Sequence, residues 1–300
     1  MDIIGKKNLF FFISGLVIVP GIISLLLFGV RLSIDFTGGT LLELKIVKSE
    51  VQDQKLKITE IVKEQNIDLA SVQEAGNNIY LLRMEPIDKD QNIKLQEEIS
   101  KNVGKAEEIR FESIGPTIGR ETAVNALKAV VLASIVIIIY IAWAFRHIPK
   151  PYSSVKFGIS AVAALMHDVL LLVGIFSLLG HFLNVEIDGL FITALLTVMG
   201  FSVHDSIVVF DRIRENLRKN RSFSFSHVVN ESIIQTLARS LSTSLTVVFT
   251  LTALLFFGGE SIRWFVIALL VGVISGTYSS VFNAAPLLVL WEEWSERKKK

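Results

Sequence analysis

Six predominantly apolar stretches, each about 20 residues or longer, decide what this chain of 300 residues can fold into. An α-helix needs about 20 apolar residues to cross roughly 30 Å of hydrocarbon. No water inside a bilayer satisfies an open backbone, so stretches of this kind read as spanning helices. The first, Leu9–Val30, carries no charge and follows Lys6 and Lys7. Its length, and the lack of a small-residue cleavage site before Arg31, make it a retained span rather than a cleaved secretory signal. The other five are about 123–145, 157–179, 188–210, 236–257 and 262–290. The last has room for a tilted or partly interfacial end.

Between the first and second apolar stretches the chain turns polar, and residues 31–120 read as a water-exposed domain. Leu42, Leu44 and Ile46 alternate with Glu43 and Lys45, the period of a half-buried strand. Ile58, Ile61 and Val62 have helical spacing. Val72–Glu74 and Ile79–Met84 flank Gly76-Asn77-Asn78, a hairpin signal. A second helix is predicted over Asp90–Val103, and Ile109 and Phe111 mark a last strand that Gly115-Pro116 ends. The order β-α-β-β-α-β is that of an α+β ferredoxin-like split unit. The chain therefore divides into a tail and first helix (1–30), this domain (31–120), a five-helix region (121–294) and a basic tail (295–300).

Basic residues set the expected orientation. Lys6 and Lys7, then Arg146, Lys150 and Lys156, then Arg212, Arg214, Arg218, Lys219 and Arg221, and finally Arg297–Lys300 all fall on one side if there are six spans. The alternate short loops hold only Arg263 near an edge. The positive-inside rule places both termini in the cytoplasm and residues 31–120 across the membrane. The net charge of +1 gives no bias toward nucleic acid, and the absence of cysteine excludes disulfides and thiolate metal sites.

Ionisable groups within the apolar stretches cost about 2.5–3.5 kcal/mol each on insertion scales, so they mark function or pairing. His167 and Asp168 fall near the middle of the third span, His204 and Asp205 toward the inner end of the fourth, and Arg239 just inside the fifth. Entering near Asp188, the fourth span brings Asp205 about 25 Å deep at 1.5 Å per residue. Arg239 enters from the other side at a similar level, so the spacing predicts an Asp205–Arg239 ion pair between antiparallel neighbours. Three readings of Asp205 and Arg239 stand from spacing alone: transport work, structural pairing, and snorkelling of Arg239. His167-Asp168 reads equally as part of a proton path or as a pin between helices.

Other features are weaker. The Gly272–Gly276 spacing suits close helix packing, and the hydroxyls of Ser242, Thr243, Ser244 and Thr246 suit interhelical bonding. Phe36-Thr-Gly-Gly-Thr40 lacks the Walker lysine and reads as a tight turn entering the first strand. The run Asp211–Asn216 reads as a solvated helix end. No nucleotide-binding motif, metal-ligand cluster or catalytic triad is visible, so neither an enzyme nor a cofactor or metal is expected.

Several strings fall in one order: Ile34-Asp-Phe-Thr-Gly-Gly-Thr40, His167-Asp168, Gly200-Phe-Ser-Val-His-Asp205, Val208–Asn216, Gln235-Thr-Leu-Ala-Arg239 with Thr243-Ser244, and Phe257-Gly-Gly259. This ordered set resembles the SecF family of protein translocase subunits, in the SecD/SecF group of the resistance-nodulation-division (RND) superfamily. The resemblance implies an RND half-transporter of six helices in the bacterial cytoplasmic (inner) membrane, paired with SecD. It implies association with the SecYEG channel and YajC, work alongside SecA, and use of the proton motive force to promote translocation of preproteins. It carries the family's membrane carboxylate and arginine onto Asp205 and Arg239. Many relatives have Asn before that Asp. Here it is His204, which either titrates near neutral pH and joins a relay or substitutes as a hydrogen-bonding neighbour. Two other functions are weighed: half of an RND exporter of small molecules or lipids, and a translocon assembly subunit that transports nothing.

Overall fold

The computed structural model describes residues 1–47, 53–74, 78–146, 148–149, 152–219 and 222–298. The chain forms two compact units, Leu32–Leu127 and Met1–Arg31 with Lys128–Lys300.

In the first unit, Ser33 caps a single helical turn, α2 (Ile34–Thr37), which leads into β1 (Gly39–Val47). After it come α3 (Gln54–Glu64), β2 (Leu69–Glu74), β3 (Ile79–Met84), α4 (Lys89–Asn102) and β4 (Lys105–Ile114). The sheet order is β2-β3-β1-β4 with every pair antiparallel, the ferredoxin-like arrangement. Alternation on β1 buries Leu42, Leu44 and Ile46 against Ile58, Ile61 and Val62 of α3 and Leu95 and Ile99 of α4. Both helices start on side-chain caps: Asp53 accepts from Leu56 N–H, and Asp88 forms a capping box with Gln91. Of the sequence-predicted hairpin, Gly76 and Asn77 lie outside the described residues, while Asn78 has φ 60°.

The predicted tight turn before β1 is a helical turn followed by two glycines with φ 74° and 121°. Gly38 has a second constraint: an ideal Cβ there would lie 2.7 Å from the Pro116 Cα. A side chain at Gly119 would meet the Gly38 nitrogen at 2.5 Å. The two glycines thus allow backbone to lie on backbone where β1 and the chain after β4 meet.

Among the described residues, six helices are long and apolar enough to cross a membrane. They are α1 (Lys7–Phe28, preceded by a short 3-10 turn), α5 (Pro116–Ala144), α6 (Ser154–Leu183), α7 (Gly189–Lys219), α8 (Phe225–Phe257) and a composite last span. That last span runs as α9 (Arg263–Ser279), a π turn (Ser280–Ala284) and α10 (Ala285–Arg297). Pro286 supplies the cause of the break: it has no N–H to donate, and its ring crowds the carbonyl four residues earlier. The π turn absorbs both problems.

Small residues set the helix crossings. An ideal Cβ on Gly21 would lie 3.0 Å from the Gly174 Cα, so α1 and α6 touch backbone to backbone. Gly272 faces the Val198 side chain and Gly276 faces Ser202, so α9 packs its glycines closely on side chains of α7, as the small-residue spacing predicts. Hydroxyls and amides stitch the same seams. Ser24 and Ser177 are 2.8 Å apart, Ser14 donates to Asn283 at 2.9 Å, and Tyr278 donates to the Phe10 carbonyl at 2.8 Å. At one end of the bundle Lys7 pairs with Glu293 and Lys156 with Glu292, both at 2.6 Å. There Asn230 of α8 accepts from the Ile3 and Ile4 amides and donates to the Met1 carbonyl.

Candidate functional site

Among the described residues, two carboxylates are buried within the membrane helices. Asp168, at the middle of α6, is fully buried. Its Oδ1 accepts from Ser275 at 2.6 Å and lies 3.0 Å from His167 Nδ1. Its Oδ2 accepts from Ser202 at 2.5 Å and Ser279 at 2.6 Å. Three helices meet at this group, because Ser202 belongs to α7 and Ser275 and Ser279 stand one turn apart on α9. The hydroxyls replace the water that a carboxylate loses on burial.

Asp205 lies on α7, about 24 Å along the helix from Gly189 at 1.5 Å per residue. It is 2% exposed, yet its Oδ2 has no hydrogen-bond partner among the described residues. The Thr277 hydroxyl faces it from α9, and His204 Nδ1 stands 3.9 Å from its Oδ1. The His204 ring is 62% exposed, so one neighbour of this buried acid reaches the surface of the bundle. On α8 the Ser244 hydroxyl bonds Thr277 at 2.6 Å, and buried Ser240 one turn away also has an unpartnered hydroxyl among the described residues.

The predicted Asp205–Arg239 ion pair is not formed. Asp205 turns toward α9, whereas Arg239 is exposed and lines a groove of about 460 Å³ between α7 and α8 with Val208, Asp211, Glu215 and Gln235. The cause is azimuth. Helix rise put the two residues at one level, but 3.6 residues per turn also fixes direction, and Ser240 takes the inward position next to Arg239. Of the residues singled out by sequence, the structure joins His167 to Asp168 and sets His204 beside Asp205, and it keeps Arg239 apart from both.

On its exposed side α7 carries Thr193, Thr197, Gly200, His204 and Asp211, and α8 carries Arg239, Thr243, Thr246 and Thr250. The threonine hydroxyls turn back onto carbonyls of their own helices. These hydroxyls are satisfied without a neighbour, while His204 stands beside Asp205 and Arg239 lines the groove with Val208 and Asp211. The Asp211–Lys219 end of α7 is not uniformly solvated: Asn216 is buried and bonds Ser232 and Gln235 of α8. Among the described residues no three His, Asp or Glu side chains gather as a metal site.

Sequence reasoning missed Ser202, Ser275, Ser279 and Thr277. The available signal was the four-residue spacing of Ser275 and Ser279, which places both on one helix face.

Two family models match the chain: the C-terminal region of the protein export membrane proteins SecD/SecF over residues 94–294, and the SecD/SecF GG motif over residues 23–50. Similar curated proteins include the protein translocase subunits SecF of Thermobaculum terrenum and Anaerolinea thermophila. The first is 46% identical, with 97% of this chain and 94% of that protein covered. The second is 44% identical, with 98% and 96% covered. Among solved structures, the crystal structure of SecDF, a translocon-associated membrane protein from Thermus thermophilus, superposes with a TM-score of 0.82 at 32% identity. The match covers 98% of this chain and 39% of that one.

Proposed function

Since the chain belongs to the SecD/SecF family of protein-export membrane proteins, we propose that it is a SecF-type subunit that couples a proton gradient to preprotein movement through Asp205. The observation that carries this reading is the unsatisfied oxygen of Asp205. A buried carboxylate with an unpartnered oxygen is costly as a charge and tolerable when that oxygen holds a proton. His204 links it to the exposed face and Arg239 offers a fixed positive charge one groove away.

In this reading a proton arriving from outside neutralises Asp205. Loss of the proton to the inside restores the charge and draws Arg239 toward it, which shifts α8 against α7. Moving one charge through 100 mV supplies about 2.3 kcal/mol, enough to bias two arrangements of packed helices. The termini lie in the cytoplasm and residues 31–120 outside, as the basic residues favour. A SecD-type chain is the partner, supported by the solved SecDF protein in which a single chain extends well beyond the length matched here. SecYEG, YajC and SecA are further partners of the assembly, and lipid surrounds it.

Export of a model preprotein into inverted vesicles, with and without a proton gradient, tests the reading. Asp205→Asn is expected to lose the gradient-dependent part and to keep assembly. An assembly subunit that transports nothing would instead keep the gradient-dependent part in Asp205→Asn.

A further inference from the structure

We infer that Asp168 is a positioning residue for the proton step at Asp205: it ties together α7 and α9, the helices that carry Asp205 and the Thr277 hydroxyl facing it. The inference rests on the proposed role of Asp205.

The first ground is saturation. An ionised carboxylate offers about four acceptor positions. At Asp168 four neighbours occupy them: the hydroxyls of Ser202, Ser275 and Ser279 and the His167 ring. His167 Nε2 is buried and has no hydrogen-bond partner among the described residues.

Geometry is the second ground. Ser202 precedes Asp205 by three residues on α7, and Ser275 and Ser279 lie two residues before and after Thr277 on the opposite face of α9, Thr277 being the residue that faces Asp205. Because each helix is a rigid rod, one carboxylate sets the spacing of the two helices that meet at Asp205. Between these bonds the helices are in near contact, with an ideal Cβ on Gly276 only 3.0 Å from the Ser202 Cβ. Loosening any serine would change the distance between Asp205 and Thr277 without touching either.

The titratable or charged groups nearest Asp205 along the packed helices are His204 and Asp211 on α7 itself, His167 and Asp168 on α6, Arg239 on α8 and Tyr278 on α9, with Arg212, Arg214, Glu215, Arg218, Lys219, Lys156, His181, His227, Glu231 and Arg263 further along the same helices. Among these described groups Asp168 alone is hydrogen-bonded to both α7 and α9.

The test uses the full chain with its SecD-type partner in vesicles and reads two quantities for each variant. These are the thermal midpoint of the purified complex and the pH midpoint of gradient-stimulated export. Ser275→Ala, Ser202→Ala/Ser279→Ala and Asp168→Asn are expected to lower the thermal midpoint by about 2–4 °C or more. They should move the pH midpoint by about half a unit or more while stimulation persists. Ser275→Thr, which keeps the hydroxyl, should restore both. Loss of stimulation in Asp168→Asn at an unchanged thermal midpoint would make Asp168 a carrier and overturn the inference. Unchanged thermal and pH midpoints in all three variants would overturn it too. Stimulation surviving in Asp205→Asn would instead defeat the role of Asp205, a separate outcome with its own variant.

Discussion

Asp168 and Asp205 are both carboxylates buried in the same helix bundle, but one has every acceptor position filled and the other has an oxygen to spare. Their surroundings differ in the same sense. Asp168 sits where α6, α7 and α9 are locked by serines and by glycine contacts. Asp205 sits beside α8, which the Ser244–Thr277 bond ties to α9 near that level and whose facing groove is open. Burial of charge is therefore a poor guide to role in a membrane. The number of donors supplied to the charge is the better one, because a satisfied group resists change and an unsatisfied one invites a proton.

The sharpest way to break this contrast is to delete Asp168. Asp168→Ala leaves the Ser202 and Ser275 hydroxyls without their acceptor, removes one of the two from Ser279 and strips His167 of its partner, and is expected to cost about 3 kcal/mol or more, read from unfolding of the complex in detergent. Gly276→Leu attacks the same seam sterically and should cost about 1–3 kcal/mol, since its Cβ meets Ser202 at 3.0 Å. Ser275→Ala alone should cost about 1 kcal/mol, within the range of single hydrogen bonds between membrane helices. His204→Gln, at an exposed ring, should leave stability within about 0.5 kcal/mol while changing the pH profile of gradient-stimulated export. The smallest effect on stability is expected for Asp205→Asn, within about 0.5 kcal/mol, because Oδ2 accepts from no group among the described residues and an amide keeps an acceptor for the facing Thr277 hydroxyl. Equal stability losses for Asp168→Asn and Asp205→Asn would erase the distinction.

Much of the architecture was legible in the residues. Alternation along β1 and the spacing of Ile58, Ile61 and Val62 report burial directly, so the order of strands and helices followed. The apolar stretches marked the membrane helices but not their ends. α7 continues to Lys219 and α8 begins at Phe225, because buried Asn216 and Ser232 pack two amphipathic extensions together beyond the apolar part. The π turn has a visible cause in Pro286, but its form depends on the packing around Asn283. For the site, sequence placed Asp205 and Arg239 at one level and failed on direction, since azimuth is set by which neighbours a helix meets. The serine cluster around Asp168 was invisible for a different reason. Serines in helices ordinarily bond their own backbone, as Ser134 does here with the Val130 carbonyl. Only the packing of three helices reveals that Ser202, Ser275 and Ser279 share one acceptor.

The most direct test of the account compares preprotein export by wild type and Asp205→Asn, assembled with the SecD-type partner in inverted vesicles, with and without a proton gradient. The account predicts equal export without the gradient and no stimulation by it in the variant, at an unchanged thermal midpoint. Full stimulation in Asp205→Asn would contradict it and remove Asp205 from the coupling step.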